Sequence, residues 1–211
     1  MNGQHSQDRR TVTVAALFVD RHGCYADMPN VEVWDKERDA RLYGGPYPVV
    51  AHPPCARWCH LSWLVESRYG YRCGDDGGCF AFALAAVRQW GGVLEHPAYS
   101  RAWSKYGIER PPRGGGWVVA DDFGGWTCHV NQLNYGHPAR KATWLYARLV
   151  RLPSMRWGCC GHSEAVISFC RRRTGDNRRR INGRPAEATP LVFRDTLLDI
   201  ARSVRADHTT P

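Results

Sequence analysis

The stretch FAFALAAVRQWGGVLEHP, residues 80–97, decides the fold class of this chain. Apolar residues recur at helical spacing over residues 80–90, and the Gly91-Gly92 pair that follows is a typical helix stop. Val93 and Leu94 are apolar, and residues 92–95 have the length of a short buried strand, which Pro97 interrupts. The stretch therefore predicts a helix that leads directly into a strand.

Further strands are predicted on both sides of this stretch, because short apolar and β-branched runs recur along the chain. They lie at residues 12–19, 31–34, 46–51 and 143–149. Residues 111–126 are rich in Gly and Pro and are expected to form a loop with little regular structure. Residues 189–204 have near-helical apolar spacing and predict a C-terminal amphipathic helix. Strands that alternate with helices favour an α/β fold with a mostly parallel sheet.

The composition is that of one globular domain that can bury a core without disulfide bonds. The chain has 211 residues, of which 43% are hydrophobic and 23% charged. Its longest apolar run, residues 12–19, is far shorter than the roughly 20 residues of a bilayer helix, and no signal peptide follows the N-terminus. We expect a soluble cytoplasmic protein with one domain over 1–211. Its parts are a core at about 12–150, a basic loop at 171–184 and a C-terminal helix at about 189–204.

Basic residues outnumber acidic ones, 29 against 20, which gives a formal net charge of +9. Only three are lysines, so arginine, whose planar guanidinium suits phosphate groups, dominates. This balance predicts a nucleic-acid partner, although a GC-rich genome also explains arginine usage. Seven arginines fall within residues 171–184, which form either a solvated loop or an arm on DNA phosphates. The predicted DNA contacts are Arg171, Arg172, Arg173, Arg178, Arg179 and Arg180.

Nine cysteines, an odd number in a chain without a secretory signal, favour reduced thiols over a disulfide framework. Cys73, Cys79, Cys159 and Cys160, with His162, offer enough ligands for a structural zinc ion. Their spacing matches no common zinc finger, so no metal site is predicted.

Three motifs carry residue types suited to chemistry. In His52-Pro53-Pro54-Cys55, two prolines stiffen a turn and direct a thiol at the carboxyl end of a predicted strand. Glu95-His96-Pro97 ends the strand that follows the helix. The segment 132–146 contains Tyr135-Gly136-His137-Pro138 and then basic residues. Each motif alone has an ordinary structural explanation. The occurrence of all three in this order and at these separations is much harder to explain by structure alone.

This order resembles the catalytic core of the carbon-5 cytosine DNA methyltransferases, over roughly residues 12–147. Pro53-Pro54-Cys55 is similar to their Pro-Pro-Cys motif, which implies that the Cys55 thiolate adds to carbon 6 of a pyrimidine. Glu95-His96-Pro97 is similar to their Glu-Asn-Val motif, which implies a carboxylate that holds ring nitrogen 3. Residues 135–143 are similar to their Tyr-Gly-x-Pro-Gln-x-Arg-x-Arg stretch. The resemblance implies a trimmed Rossmann-like methyltransferase core and a flipped base.

The chain departs from that family where a methyl donor would bind. The family's Phe-x-Gly-x-Gly loop, which cradles S-adenosylmethionine, is replaced by residues 17–23 with a single glycine. In the third motif, the glutamine and both arginines become Ala139, Lys141 and Thr143, and no target-recognition domain fits. We therefore predict no cofactor, with S-adenosylmethionine-dependent cytosine methylation as an alternative.

The whole sequence looks like small phage proteins with HPPC, GGVLEHP and GH-x-A-x-K-x-T-W-L stretches, which are associated with thymine hypermodification. This resemblance implies an amino acid:DNA transferase, in which an amine such as glycine displaces the pyrophosphate of an activated 5-hydroxymethyluracil. Cys55 and Glu95 are then catalytic, with His52 and His96 as candidate acid–base groups. Predicted substrate contacts are Pro54, Pro97, Tyr135, His137, Arg140, Lys141 and Asp35.

The predicted function is therefore covalent modification of a DNA pyrimidine in an infected bacterium, with DNA and a small amine as partners and no membrane. A non-catalytic DNA-binding protein on a decayed enzyme scaffold is the remaining alternative. Asp35, four residues before Asp39, would share a helical face with it and hold an amine or ribose, or else belong to a solvated face.

Overall fold

The computed structural model describes residues 12–59, 66–68, 70–158, 161–167 and 177–204. A seven-stranded sheet forms its centre, and helices pack against both faces. The strands are β1 (Val14–Leu17), β2 (Val31–Trp34), β3 (Val49–Ala51), β4 (Gly92–Pro97), β5 (Trp117–Val119), β6 (Trp126–Asn131), β7 (Ala142–Arg148), β8 (Ala165–Ile167) and β9 (Arg179–Ile181). The helices are α1 (Cys79–Trp90), α2 (Arg101–Lys105), α3 (Arg184–Glu187) and α4 (Leu191–Arg202), with 3-10 turns at Ala40–Leu42 and Gln132–Tyr135.

The strand order of the main sheet is β2-β1-β3-β4-β7-β6-β5, and β8 and β9 form a separate parallel pair. Strands β1 to β4 run parallel, whereas β7, β6 and β5 continue the sheet with antiparallel pairings. The carboxyl ends of the four parallel strands therefore meet at one edge, where α/β sheets usually place ligands. Because β7 is antiparallel to β4, its first residues reach the same edge.

Both faces of β1, β3 and β4 are buried, which explains the nearly continuous apolar sequence of these strands. The cluster on the α1 side contains Val49, Ala51, Leu94, Phe80 and Trp103. The cluster on the α4 side contains Val50, Val93, Leu145, Phe193 and Leu197. Successive residues of one strand therefore point to opposite faces of the sheet. Two adjacent residues of a motif on a strand thus lie on different faces.

The Gly91-Gly92 pair joins α1 to β4. The Gly91 amide donates to the Val87 carbonyl at 3.0 Å and closes the helix. Gly92 has a φ of +122°, and a Cβ atom there would lie 2.0 Å from the Val49 carbonyl oxygen. Only glycine therefore allows β4 to approach β3 at this point.

The structure confirms a mixed α/β fold with a C-terminal helix, and its sheet is parallel in β2-β1-β3-β4. The expected loop at 111–126 is wrong for Trp117–Val119, which forms the edge strand β5, and the predictions do not include β6 or α2. Strand β5 is not recognisable from local composition, because only three residues lie between Gly-rich turns. These residues form a strand because they pair with β6, not because of their own propensity. None of the helices within the described ranges is long and apolar enough to cross a membrane.

Candidate active site

The His52-Pro53-Pro54-Cys55 turn leaves the carboxyl end of β3 as predicted. The His52 amide donates to the Leu17 carbonyl at 3.0 Å, which prolongs the pairing with β1, and the Trp58 amide donates to the Cys55 carbonyl at 2.9 Å. Pro53 is buried, Pro54 exposed and Cys55 half-buried. The turn therefore holds the thiol at the ligand-binding edge of the sheet.

The environment of Cys55 favours the neutral thiol. Burial raises its pKa to about 11, and the negative charge of Glu95 adds to this effect, while Lys141 opposes it. A nucleophilic role therefore requires that a base take the thiol proton as the sulfur attacks.

Glu95 is buried on β4, on the same face as Val93, and both carboxylate oxygens accept hydrogen bonds. His52 Nδ1 lies 3.1 Å from Oε2, and Gln132 Nε2 donates to Oε1 at 2.9 Å. Burial raises the pKa of Glu95, but the His52 hydrogen bond and the Lys141 charge outweigh it and lower the pKa to about 2. Glu95 is thus a carboxylate surrounded by donors.

His52 connects Glu95 to a buried tyrosine. Nδ1 faces the ionised carboxylate and donates to it, and Nε2 lies 2.9 Å from the Tyr25 hydroxyl. Burial raises the pKa of Tyr25 well above its usual value, so its hydroxyl stays protonated. Tyr25, His52 and Glu95 form one hydrogen-bonded chain, and both nitrogens of His52 are engaged in it.

Gln132 and Tyr25 are the site residues that sequence reasoning did not identify. Gln132 Nε2 also donates to Thr143 Oγ1 at 3.0 Å, so the amide is oriented by two partners. Gln132 follows β6 and Thr143 belongs to β7, and the antiparallel pairing of these strands brings both beside Glu95. No local signal distinguishes Gln132, because its role depends on that pairing.

Lys141, in the basic part of the third motif, is hydrogen-bonded to the C-terminal end of α3. Its Nζ donates to the carbonyl oxygens of Glu187 at 2.7 Å and Ala188 at 3.2 Å. Its charge also acts on Glu95 and Cys55, as their pKa shifts indicate. Arg140 is exposed. The structure therefore brings Cys55, Glu95, His52 and Lys141 together, with the end of α3 beside them.

His96 lies on the opposite face of the sheet from Glu95. Its ring is edge-on to Phe80 at 5.2 Å and stacked with Trp103 at 6.2 Å, between ring centroids. Burial lowers the pKa of His96 to about 4 against the influence of Glu95 and the Pro54 backbone. The structure thus does not bring the His96 ring to the face that holds His52, and Pro97, half-buried, ends β4 beside it.

Tyr135 and His137 are buried in the interior rather than open to the site. The Tyr135 hydroxyl accepts from the Arg156 amide at 2.9 Å, and its ring packs 4.9 Å from that of Phe193. His137 Nδ1 lies 2.8 Å from the Ala139 carbonyl oxygen, and burial lowers its pKa. Their positions support the turn that leads into β7.

Asp35 lies at the carboxyl end of β2 but is engaged by protein groups. Its Oδ1 accepts from the amides of Glu37 and Arg38, and Oδ2 lies 3.2 Å from Arg21 Nε. These backbone hydrogen bonds, and then Arg21, lower its pKa against desolvation. Residues 36–39 form turns, so Asp35 and Asp39 do not share a helical face.

The basic segment at 171–184 is described only from residue 177 onward, so Arg171, Arg172 and Arg173 lie outside the described residues. The expected loop is wrong for Arg179 and Arg180, which are exposed on β9. Arg178 donates to Ser163 Oγ at 2.6 Å. Cys159 and Cys160 also lie outside the described residues, and within those described no group of three potential ligands is placed to hold a metal ion.

The residues after β1 do not fit S-adenosylmethionine. Residues 18–30 form turns and extended chain between β1 and β2, so no helix N-terminus follows β1 to face an anionic or polar cofactor. Asp35, which is placed where such folds bind a ribose, is already paired with Arg21.

Comparisons of the chain with protein-family models, with curated proteins and with solved structures find no match.

Proposed function

We propose that this protein modifies a pyrimidine base in DNA by covalent addition of Cys55 to carbon 6. The specific activity proposed is transfer of an amino acid, glycine, to 5-hydroxymethyluracil activated as its pyrophosphate ester. We further propose that the sheet is a trimmed Rossmann-like methyltransferase core and that the enzyme acts in the cytoplasm of a phage-infected bacterium. Parallel strands that bring Cys55 and Glu95 to one edge support this assignment.

The observation that carries the proposal is the hydrogen bonding of Glu95. Two donors, His52 and Gln132, hold it as an ionised acceptor. A uracil ring presents an N–H group at position 3, which a carboxylate accepts directly. Cytosine presents an unprotonated nitrogen there and would need a protonated carboxyl group. The site therefore favours a uracil-type base over cytosine.

The chemistry then follows in four balanced steps. The Cys55 thiol loses its proton to a base as sulfur bonds to carbon 6, and the displaced electron pair forms the C4 enolate. The enolate expels pyrophosphate from the 5-methylene group and leaves an exocyclic methide. The glycine amine adds to this methide and regenerates the enolate. Collapse of the enolate breaks the sulfur–carbon bond and releases the Cys55 thiolate, which takes the proton of the new ammonium and becomes the thiol again.

The charged residues around the thiol suit these reaction steps. The pyrophosphate leaving group is anionic, and Arg140, the exposed residue before Lys141 in the chain, is a candidate cation for it. Lys141 reaches this group only after it releases the carbonyl oxygens at the end of α3. Glu95 raises the pKa of the Cys55 thiol in the free enzyme, so binding of the ring N–H to the carboxylate promotes thiolate formation.

The test is nucleoside mass spectrometry after incubation of DNA and glycine with the protein. Substrates are DNA with activated 5-hydroxymethyluracil, with unactivated 5-hydroxymethyluracil, and with cytosine plus S-adenosylmethionine. We expect a glycine-sized gain on the activated base alone, which Cys55→Ser abolishes. Cys59→Ser removes a neighbouring half-buried thiol and is the matched control.

Two results would overturn the proposal. A methyl gain on cytosine would identify a methyltransferase. No product on any substrate, together with DNA binding that Cys55→Ser leaves intact, would identify a non-catalytic DNA-binding protein.

A further inference from the structure

A cleft of about 1520 Å³ lies next to the Cys55 turn, on the α1 side of the sheet. Small-molecule pockets usually measure about 300–1,000 Å³, so this cleft suits a larger ligand. Among the described residues, five cationic side chains and one carboxylate line it, and these residues make the cleft basic. The charged lining residues are Arg72, Asp75, Arg101, Lys105, Arg110 and Arg113.

Several of these cations are not neutralised by the protein. Within the described ranges, no ion pair involves Arg72, Lys105 or Arg113, and Arg110 donates only to the neutral Ser104 hydroxyl, at 2.8 Å. Arg88, by contrast, is paired with Asp121 at 2.7 Å. The cleft thus presents exposed positive charge to an anionic ligand.

Aromatic rings share the cleft with these charges. Trp58, Tyr99 and Tyr106 line it, and Tyr99 is 40% exposed. The Tyr99 ring is fixed from behind by Trp144, at 5.3 Å between centroids, and the Arg113 guanidinium lies 5.2 Å from it. Tyr99 also has a φ of +65°, a conformation that non-glycine residues rarely adopt. With this backbone conformation, the Tyr99 ring lines the cleft among the cationic side chains.

Backbone hydrogen bonds connect the cleft to the nucleophile. Trp58 donates its amide to the Cys55 carbonyl, and its own carbonyl accepts from the Arg101 amide at 2.9 Å. The first residue of α2 is therefore anchored to the turn that carries the thiol. The cleft and the thiol therefore share the turn at residues 55–58.

We propose that this cleft binds single-stranded DNA, with phosphates on its cations and bases stacked on Tyr99 and Tyr106. Basic grooves with exposed aromatic rings are the usual means of binding single strands. The proposal deepens the proposed function and rests on it for the choice of DNA. It assigns DNA binding to residues 72–113, a different segment from the arginines at 171–180.

The test measures the affinity of the full chain for fluorescent oligothymidylate by anisotropy at several salt concentrations. Each phosphate contact on a single strand changes the log–log salt slope by about 0.7, which corresponds to roughly fivefold in affinity at 0.1 M salt. We expect the double variant Lys105→Gln, Arg113→Gln to lose roughly 25-fold and to flatten the slope by about 1.4.

The matched control is the double variant Lys36→Gln, Arg151→Gln, which removes the same charge from two exposed residues outside the cleft. Arg151 follows Arg148, which pairs with Gly92 at the opposite edge of the sheet. This variant should bind nearly as the natural chain does. Tyr99→Leu, which keeps an apolar side chain but removes the ring, should lose roughly 5- to 150-fold.

Equal losses in the two double variants would overturn the proposal, as would a folded Tyr99→Leu variant with unchanged affinity. Tighter binding of duplex DNA would contradict the single-strand assignment, and tighter binding of oligouridylate would contradict the choice of DNA. Thermal unfolding checks that each variant folds. Because the probe carries no modified base and the assay contains no glycine, a failure of glycine transfer would leave the binding result unchanged.

Discussion

Replacement of Glu95 by glutamine tests the charge state on which the proposed function depends. Glutamine has the shape of a protonated glutamic acid, so Glu95→Gln removes the negative charge and, like protonation, turns one of the two accepting positions into a donor. The pKa of Glu95 is about 2 in the folded chain, against 4.5 for an unperturbed glutamate. The difference of about 2.5 units corresponds to about 3 kcal/mol, because each unit is worth about 1.4 kcal/mol.

The sign of the pH dependence follows from the lowered pKa. Ionised Glu95 contributes its full stability above pH 4.5, and this contribution falls as the pH decreases from 4.5 toward 2. At pH 7 we expect Glu95→Gln to be less stable than the natural chain by about 3 kcal/mol. At pH 3 the difference should shrink by about 2 kcal/mol, since protonation in the unfolded chain has removed most of the advantage.

Urea unfolding followed by tryptophan fluorescence at pH 7, 5, 4 and 3 measures this difference. Asp122→Asn neutralises an exposed carboxylate and should change stability by less than about 0.5 kcal/mol at every pH. A loss in Glu95→Gln that is the same at pH 7 and pH 3 would show that packing, rather than ionisation, explains the effect. Absence of any loss at pH 7 would refute the charge assignment itself.

Three other predictions use the same structure. Because burial and Glu95 raise the pKa of Cys55 to about 11, its alkylation by iodoacetamide, followed by peptide mass, should accelerate about tenfold per pH unit between pH 7 and 10. Phe80→Ala should cost about 3–5 kcal/mol in urea unfolding, since Phe80 is fully buried, while Phe82→Ala, at a half-exposed position of the same helix, should cost far less. Gly92→Ala should destabilise the fold by more than about 3 kcal/mol because its Cβ would meet the Val49 carbonyl, whereas Gly44→Ala, with open space around it, should unfold at nearly the natural urea concentration.

The meeting of Cys55 and Glu95 was predictable, because Cys55 follows β3, Glu95 lies near the end of the parallel strand β4, and the carboxyl ends of these strands share one sheet edge. The separation of Glu95 from His96 follows from strand alternation, but only once 92–97 is known to be a strand through Pro97. Gln132 could not be identified, since its contact with Glu95 spans 37 residues and depends on the pairing of β6 with β7. The basic cleft was not predicted either, because its cations are spread over residues 72–113 and only the fold brings them together.

The sequence by itself determined α1, α4, β1 to β4 and β7, because hydrophobic periodicity and glycine stops act over a few residues. It also placed Cys55 and Glu95 at strand ends. Only the tertiary structure decided that β7 runs antiparallel, that β5 and β6 extend the sheet, and which side chains surround Glu95. These features rest on contacts between residues far apart in the chain, and the energies of such contacts leave no local pattern in the sequence.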